Sequence, residues 1–535
     1  MSQNQAASSR CWPARNLTGA FVLILCFLVF NLVTYNYYPA VWCDEVFYSE
    51  PAVNFAQTGS FHTYVSYVQP SGTFSVANCP GYFLALGPWI KIFGGSLFAI
   101  RAFNYLLMAS ATALLCLVLL RFGFLQSKWP MLAFVAVLHL GYGMSFAYRC
   151  SRPDVLGMNC IVLSILAFTL QNNSLRLFSL FGLACVSVWI GVPIGVFMGF
   201  AILTGWLLLP WVRWKEVLVV ALGGIISTGS LLLFIASKGL LQYFMVTVFA
   251  LVGRRYEASP TTESGFQIFK IIAGTMSSYV DDFSTVPLVF GVVVLALKFW
   301  KPFSYLTRRM ILYLMCLVVG TPLFFNLTGH WAFYYSYMKF IPAVLALWII
   351  GVEINHLSPQ SYRRWFRPVA TTMAILAMLV GLPLRFCVVW STSTLAPRAE
   401  IKKIVSQHII SGDVVFSEYE AFFETKQLTH IVYDHWSSRT LQISRAEGRD
   451  LTAEERAAVS AMIIRPKDAA RLAQFMGGEW QPVTPPFGDR QNFDFLNKLP
   501  IIGKRFASYA SQPQSERFEI QIFRRAPLPG VPQSP

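Results

Sequence analysis

The chain is 535 residues long, 55% hydrophobic and 15% aromatic but only 13% charged, with a positive mean hydropathy. Soluble domains carry about 25% charge, so this composition excludes an ordinary water-soluble enzyme and specifies a membrane protein. The formal charge of +16 is not a nucleic-acid footprint: residues 1–390 hold 24 Lys and Arg against 10 Asp and Glu, whereas residues 391–535 hold 18 against 16, so the excess lies in the apolar part, where interhelical loops keep it.

The first apolar run, 17–34 (LTGAFVLILCFLVFNLVT), is too long for a signal-peptide core and is followed by bulky YNYYPAVW, which predicts a retained helix. Further runs fall near 97–120, 129–147, 154–170, 175–191, 192–210, 217–236, 284–300, 310–328, 336–352 and 368–388, each close to the roughly 20 residues a bilayer needs. The expected fold is a polytopic α-helical membrane protein of about eleven spans over residues 1–390, with outer loops at 35–96 and 237–283. Cytoplasmic loops collect Lys and Arg. An N-terminus inside puts Arg121, Lys128, Arg213, Lys215, Arg308, Arg309, Arg363 and Arg364 on that side and leaves the first outer loop, 35–80, with no Lys or Arg. An odd number of spans then places 391–535 outside the cytoplasmic membrane.

Residues 391–535 change character. IKKIVSQHII predicts an amphipathic helix, GDVVFSEY and THIVY short strands, EERAAVSAMIIRP a helix running into a strand, and ERFEIQIFRR a closing strand with period-two alternation. This is a small extracytoplasmic α/β domain.

Of ten cysteines, Cys43, Cys79 and Cys150 lie on the expected outer side, and a Cys43 to Cys79 bridge is left open by their spacing. No CxxC, HExxH or P-loop pattern occurs, so the sequence offers no metal ligand set and no nucleotide site.

Acids that survive in an apolar chain carry the chemistry, because a carboxylate near lipid is expensive. Asp44 and Glu45 follow the first span, on a stretch expected to lie amphipathically at the membrane surface. Adjacent carboxylates on a helix point in different directions, so one can face a cavity while the other holds structure. Their own loop offers no cation; the partner comes from elsewhere in the fold, from a metal or from a substrate proton. The plain alternative is a solvated helix start. A second constellation is AYRCSRPDVLGMN, 147–159, where Asp154 suits the first turn of a helix behind Pro153 and Arg149 and Arg152 suit an anionic group; snorkelling arginines are the alternative. A third is TGHWAFYYSYMKFIPAVLAL, 328–347, with His330, Tyr334, Tyr335 and Lys339 at a helix mouth, where an interfacial aromatic belt is the plain reading. Arg254 and Arg255 in GRRYE add two cations to the other outer loop.

The DE pair after the first span, the stretch NCPGYFLALGPWIKIFGGSLFAIRAFNYLL, the SRPD segment and the late YYSY followed by Pro together resemble the GT-C superfamily of integral-membrane glycosyltransferases, with the protein O-mannosyltransferases and the aminoarabinose and galacturonosyl transferases of lipid A as the nearest branches. The resemblance covers about residues 17–390. The family often shows Lys or His where this chain has NCPG, and Ala where Ser151 stands.

That resemblance implies a sugar donor linked to polyprenyl phosphate, whose lipid lies in the bilayer, and an envelope acceptor that is a lipid, glycan or protein. A phosphate leaves as a stabilised anion, so the reaction needs a general base and cations. On this reading Asp44 is the base, Glu45 and Asp154 are supporting acids, and Arg149, Arg152, Arg254, Arg255, His330 and Lys339 are phosphate contacts beside Tyr334 and Tyr335. The anomeric centre would invert. A divalent cation is compatible but not required, and no nucleic acid is expected. Three rivals differ in their charges: a glycan polymerase or ligase would rely on arginines of a large outer loop, a transporter on midplane charges in two related halves, and a scaffold on none of these residues.

Overall fold

The computed structural model describes residues 14–77, 79–124, 128–250, 264–327, 332–357, 360–441, 449–492 and 517–526. Helix α1 (Ala14–Val33) takes the first apolar run. Between it and α4 (Leu97–Arg121) lie two shorter helices, α2 (Cys43–Thr58) and α3 (Pro80–Phe93), with a small hairpin of β1 (His62–Thr63) and β2 (Thr73–Phe74) between them. The helical part continues with α5 (Lys128–Leu140), α6 (Tyr142–Arg149), α7 (Asp154–Ala167), α8 (Asn173–Ile190), α9 (Val192–Leu208), α10 (Trp214–Ser237), α11 (Leu241–Met245), α12 (Ser264–Asp281), α13 (Thr285–Phe299), α14 (Tyr305–Leu327), α15 (Tyr337–Leu357), α16 (Gln360–Leu379) and α17 (Leu382–Thr392).

Among the described residues, six helical segments are long and apolar enough to cross a membrane, and α5 with α6 forms a seventh, bent by 61°. Four shorter apolar helices, in α1, α7, α9 and α13, fill the remaining expected spans. The chain is a multi-pass membrane protein. The bend falls at Gly141, where a β-carbon would stand 2.1 Å from the Phe340 ring, so glycine is what lets α15 approach the turn. Helix α12 was not expected. It exposes Phe269, Ile272 and Met276 on one side and buries Thr275 and Ser278 on the other, so its sequence has no continuous apolar run.

Helix α2 also differs from the surface stretch expected. Acids in its first turn complement the positive end of the helix dipole, Gly59 at φ 78° ends it in the left-handed region, and between these ends Glu45, Ser49, Glu50 and Asn54 are buried with Val46, Ala52 and Val53. Polar groups tolerate such burial only when paired: Asn54 donates to Glu50 Oε1 at 3.1 Å and to the His62 carbonyl at 2.8 Å, and the partners of the other three are identified below.

The C-terminal part begins with β3 (Ser393–Thr394) and α18 (Arg398–His408), followed by β4 (Val414–Ser417), α19 (Tyr419–Lys426), β5 (Ile431–Tyr433), α20 (Ala453–Ala458), β6 (Ala461–Ile464), α21 (Ala469–Met476), β7 (Trp480–Pro482), β8 (Phe487–Gly488), β9 (Arg490–Gln491) and β10 (Glu519–Arg525). The main sheet runs β5-β4-β6-β10-β7, with β8 also on β10. Strand β4 is parallel to β5 and β6, and β10 is antiparallel to β6 and β7. Alternate residues feed two cores: Val415, Ile463 and Ile522 on one face, Phe416, Met462 and Phe523 on the other. Burial on both faces explains why these strands read as short apolar runs. Phe422, Phe423 and Val432 join Val46, Val53 and Phe83 in a further core, so the sheet domain is packed onto α2 and α3.

Candidate active site

The turn after α1, Thr34 to Pro39, carries backbone carbonyls that no helix satisfies; three arginines from distant parts of the chain take them, and a fourth holds the Asn36 side chain. Arg149 donates Nε to the Tyr38 carbonyl at 2.7 Å, Nη2 to that of Thr34 at 2.6 Å, and Nη1 to Asn31 Oδ1. Arg101 donates to the carbonyls of Tyr35 and Pro39. From the sheet domain, Arg517 Nη2 reaches the carbonyls of Asn36 and Tyr37 at 2.7 and 2.8 Å, and Arg398 Nε reaches Asn36 Oδ1 at 3.0 Å. Arg149, expected at a phosphate, is thus spent on the end of α1.

This frame fixes the entry to α2. Glu45 is sealed from solvent and grips Arg101 in two parallel bonds, Nε to Oε1 at 2.8 Å and Nη2 to Oε2 at 2.6 Å. Oε1 also accepts the Ser151 N–H at 3.0 Å. Glu45, expected as a supporting acid beside the base, therefore joins α2, α4 and the SRPD segment. A hydrogen-bond chain runs from Ser49 to Ser151 at 2.7 Å, on to the Tyr82 hydroxyl at 2.7 Å and from there to Asn104 Oδ1 at 3.1 Å. Asn104 Nδ2 closes it on the Cys150 and Arg152 carbonyls. Ser151 is the middle link.

With its backbone held so, Arg152 lies between two acids. Nε donates to Asp154 Oδ2 at 2.8 Å and Nη1 to Asp44 Oδ2. Its guanidinium lies 3.7 Å from the Tyr334 ring centroid, with Tyr48 and Trp42 at 5.3 and 5.7 Å. One cation shared by two carboxylates leaves a net negative charge in an aromatic enclosure. Exposure separates the acids: 18% of the Asp44 side chain reaches the surface, against 2% for Asp154 and none for Glu45. The cation the first loop lacks comes from elsewhere in the fold.

The other expected residues fall elsewhere. Tyr335 is buried between Tyr334 and Phe325. Lys339 is buried, donates to the Ser278 carbonyl and sits 4.5 Å from the Tyr279 ring centroid, facing α12. Arg254, Arg255 and His330 lie outside the described residues. Cys43 and Cys79 both carry free thiols, so the bridge their spacing left open is not formed. Among the described residues no three His, Cys, Asp or Glu side chains converge as a metal ligand set.

The sheet domain meets α2 through a second buried pair, Lys426 Nζ to Glu50 Oε1 at 3.3 Å, with Glu50 also accepting from Thr63 and the Tyr64 N–H. Burial lowers the Lys426 pKa, and Glu50 offsets part of that. Beyond β5, Asp434 is buried and pushed up to about 8 by that burial. In His435 burial acts against the charged form, but Glu418 at 2.9 Å outweighs it and raises the imidazole. Trp436 lies against Phe47 and Tyr67, with ring centroids 6.3 and 5.4 Å away.

No family model matches the chain, and no curated protein does. Among solved structures it is similar to the Archaeoglobus fulgidus oligosaccharyltransferase in the apo form, at 11% identity and a TM-score of 0.47 over 86% of this chain and 70% of that one. The same enzyme tethered by a disulfide to an acceptor peptide containing the NVT sequon gives 12%, 0.45, 83% and 69%. Its complex with zinc and sulfate gives 11%, 0.42, 86% and 69%.

Proposed function

We propose that this protein is a glycosyltransferase that moves a sugar from a polyprenyl-phosphate donor to an envelope acceptor at the outer face of the cytoplasmic membrane, with Asp44 as general base. The observation that carries the reading is the Asp44–Arg152–Asp154 chain: its solvent-reaching end is a carboxylate held in direction but not neutralised, because Arg152 divides its charge between two acids. Asp44 takes the proton of the acceptor hydroxyl as its oxygen attacks the anomeric carbon, the bond from that carbon to the phosphate oxygen breaks, and polyprenyl phosphate leaves as an anion. Attack opposite the leaving group inverts the centre. The net negative site repels phosphate at the base itself, so the donor phosphate is placed on the far side of the sugar; Arg254, Arg255 and His330, which lie outside the described residues, stay candidate phosphate contacts on their sequence alone.

Glu45 and Arg149 act in this reading through the geometry they impose. Lys and Arg at the opposite helix ends support an N-terminus inside and the sheet domain outside. The experiment is transfer of a labelled sugar from a polyprenyl-phosphate donor to an envelope extract by the purified protein; identifying the labelled product names sugar and acceptor together.

A further inference from the structure

Beneath the Asp44–Arg152–Asp154 chain the membrane helices enclose a cavity of about 200 Å³. Two elements of the site lead into it. Helix α15 starts directly after the turn Phe333–Ser336, which carries Tyr334 against Arg152. Its Tyr337, Ile341, Leu345 and Ile349, spaced on one helix face, form one wall of the cavity. Helix α7 starts with Asp154, and its Met158 and Ile165 form another. The far end is lined by Phe124 and Trp211, in the loops that follow α4 and α9; Phe124 lies beyond the end of α4 opposite to Arg101, which grips Glu45.

From Tyr337 to Ile349 the helix rises about 18 Å, more than half of the roughly 30 Å hydrocarbon core. A phospholipid acyl chain, anchored by its head group at one surface, fills one leaflet and stops near the midplane. A chain that enters beside Tyr337 and reaches Ile349 crosses the midplane, as a polyisoprenoid does. Water is a poor occupant, since a buried water needs about 2–4 polar partners and these walls are aliphatic and aromatic. Polarity returns at the site end, where the hydroxyls of Ser336 and Tyr337 are buried without a protein hydrogen-bond partner, a state that costs free energy until a ligand oxygen pairs them.

We infer that this cavity, on the reading of a polyprenyl-linked donor proposed above, takes the isoprenoid tail of that donor and selects chains long enough to cross the midplane. The Ser336 and Tyr337 hydroxyls then meet the oxygen that joins the chain to phosphate. Lipid tails already lie in apolar surroundings, so the selectivity comes from packing and not from hydrophobic transfer.

The test uses the full-length protein in lipid nanodiscs and two probes, undecaprenyl phosphate and farnesyl phosphate, which share a head group and differ in chain length. Wild type binds the long probe more tightly, on the order of 10-fold for a difference of packing alone. Ala201→Phe puts a ring into the cavity from α9, and Gly205→Leu plugs it further down, where an added β-carbon meets no atom closer than 3.6 Å. Both variants lose the preference and bind farnesyl phosphate as wild type does, which also reports that they fold. Leu203→Phe, on the exposed side of the same helix, keeps the preference. Independently of affinity, undecaprenyl phosphate with a diazirine midway along its chain labels peptides containing Phe124 or Trp211. Equal binding of the two probes by wild type, a preference kept in both plugged variants, or label confined to lipid-facing residues such as Leu203 overturns the inference and leaves the donor reading standing. Undecaprenyl phosphate that does not bind at all overturns the donor reading as well.

Discussion

Glu45 and Arg101 are a bidentate pair with side-chain exposures of 0% and 1%, and they join the first turn of α2 to the second turn of the membrane-spanning helix α4. Glu45 is adjacent to the acid that reaches the surface, yet it faces inward, as neighbours on a helix must diverge. In the proposed reading the pair therefore fixes the backbone that carries Asp44.

Removing one partner of such a pair leaves an uncompensated buried charge, which typically costs about 3–5 kcal/mol. Glu45→Gln and Arg101→Met should each lower the unfolding midpoint of the purified protein steeply, and the double variant should lose less than the sum of the two. A Glu45→Gln protein of wild-type stability that fails to transfer sugar would return Glu45 to the chemistry.

Arg149 supports a similar argument. Truncation to Ala leaves the Thr34 and Tyr38 carbonyls without their donor, at about 1–3 kcal/mol for each buried group left unpaired. The expected outcome is poor yield and a lowered melting temperature with unchanged donor KM, because Arg149 holds α1. A large rise in donor KM at wild-type stability would place it at the phosphate.

These two residues mark what could be read from the sequence. Asp44 and Asp154 stood out because acids beside apolar spans are rare, and the strands of the sheet domain stood out as short apolar runs, the closing one by its period-two alternation. Arg101 and Asn104 carried a signal of the same kind, a charge and an amide inside the span 97–120, but sequence cannot say that they face the SRPD segment and not a neighbouring helix. Arg149 and Arg152 stand three apart, one bonding a helix end and the other two acids; direction around that short turn is set by tertiary packing. Glu50 and Lys426, 376 residues apart, share no local pattern at all.

The sheet domain should lose stability as pH rises. Asp434 titrates at about 8 in the folded protein and near 3.9 when unfolded, so its folded pKa is raised. Its contribution is full below about 4 and is lost as pH climbs to about 8. His435, also raised, adds loss in the same direction. Glu418, whose pKa is lowered despite burial because His435 faces it, acts only at more acid pH. Melting temperature should fall between pH 5 and 8, and the fall should flatten in Asp434→Asn. A slope equal to that of wild type would mean that Asp434 ionises freely.

Orientation has its own check. Arg490 lies in the sheet domain with 71% of its side chain exposed, and Arg490→Cys, with Cys26, Cys316 and Cys387 replaced by Ala, should react with an impermeant thiol reagent applied to whole cells. Reaction only after lysis of the cytoplasmic membrane would reverse the topology.

The central claim is that Asp44 accepts the acceptor's proton. Asn keeps the size of Asp and most of its hydrogen bonding but takes no proton, so Asp44→Asn should remain folded and bind donor while transfer from the polyprenyl-phosphate donor falls by the roughly 10²- to 10⁴-fold that a positioned general base supplies. Asp44→Glu should recover little, since its added methylene moves the oxygens by about 1 Å. Transfer by Asp44→Asn at a near wild-type rate would contradict the account.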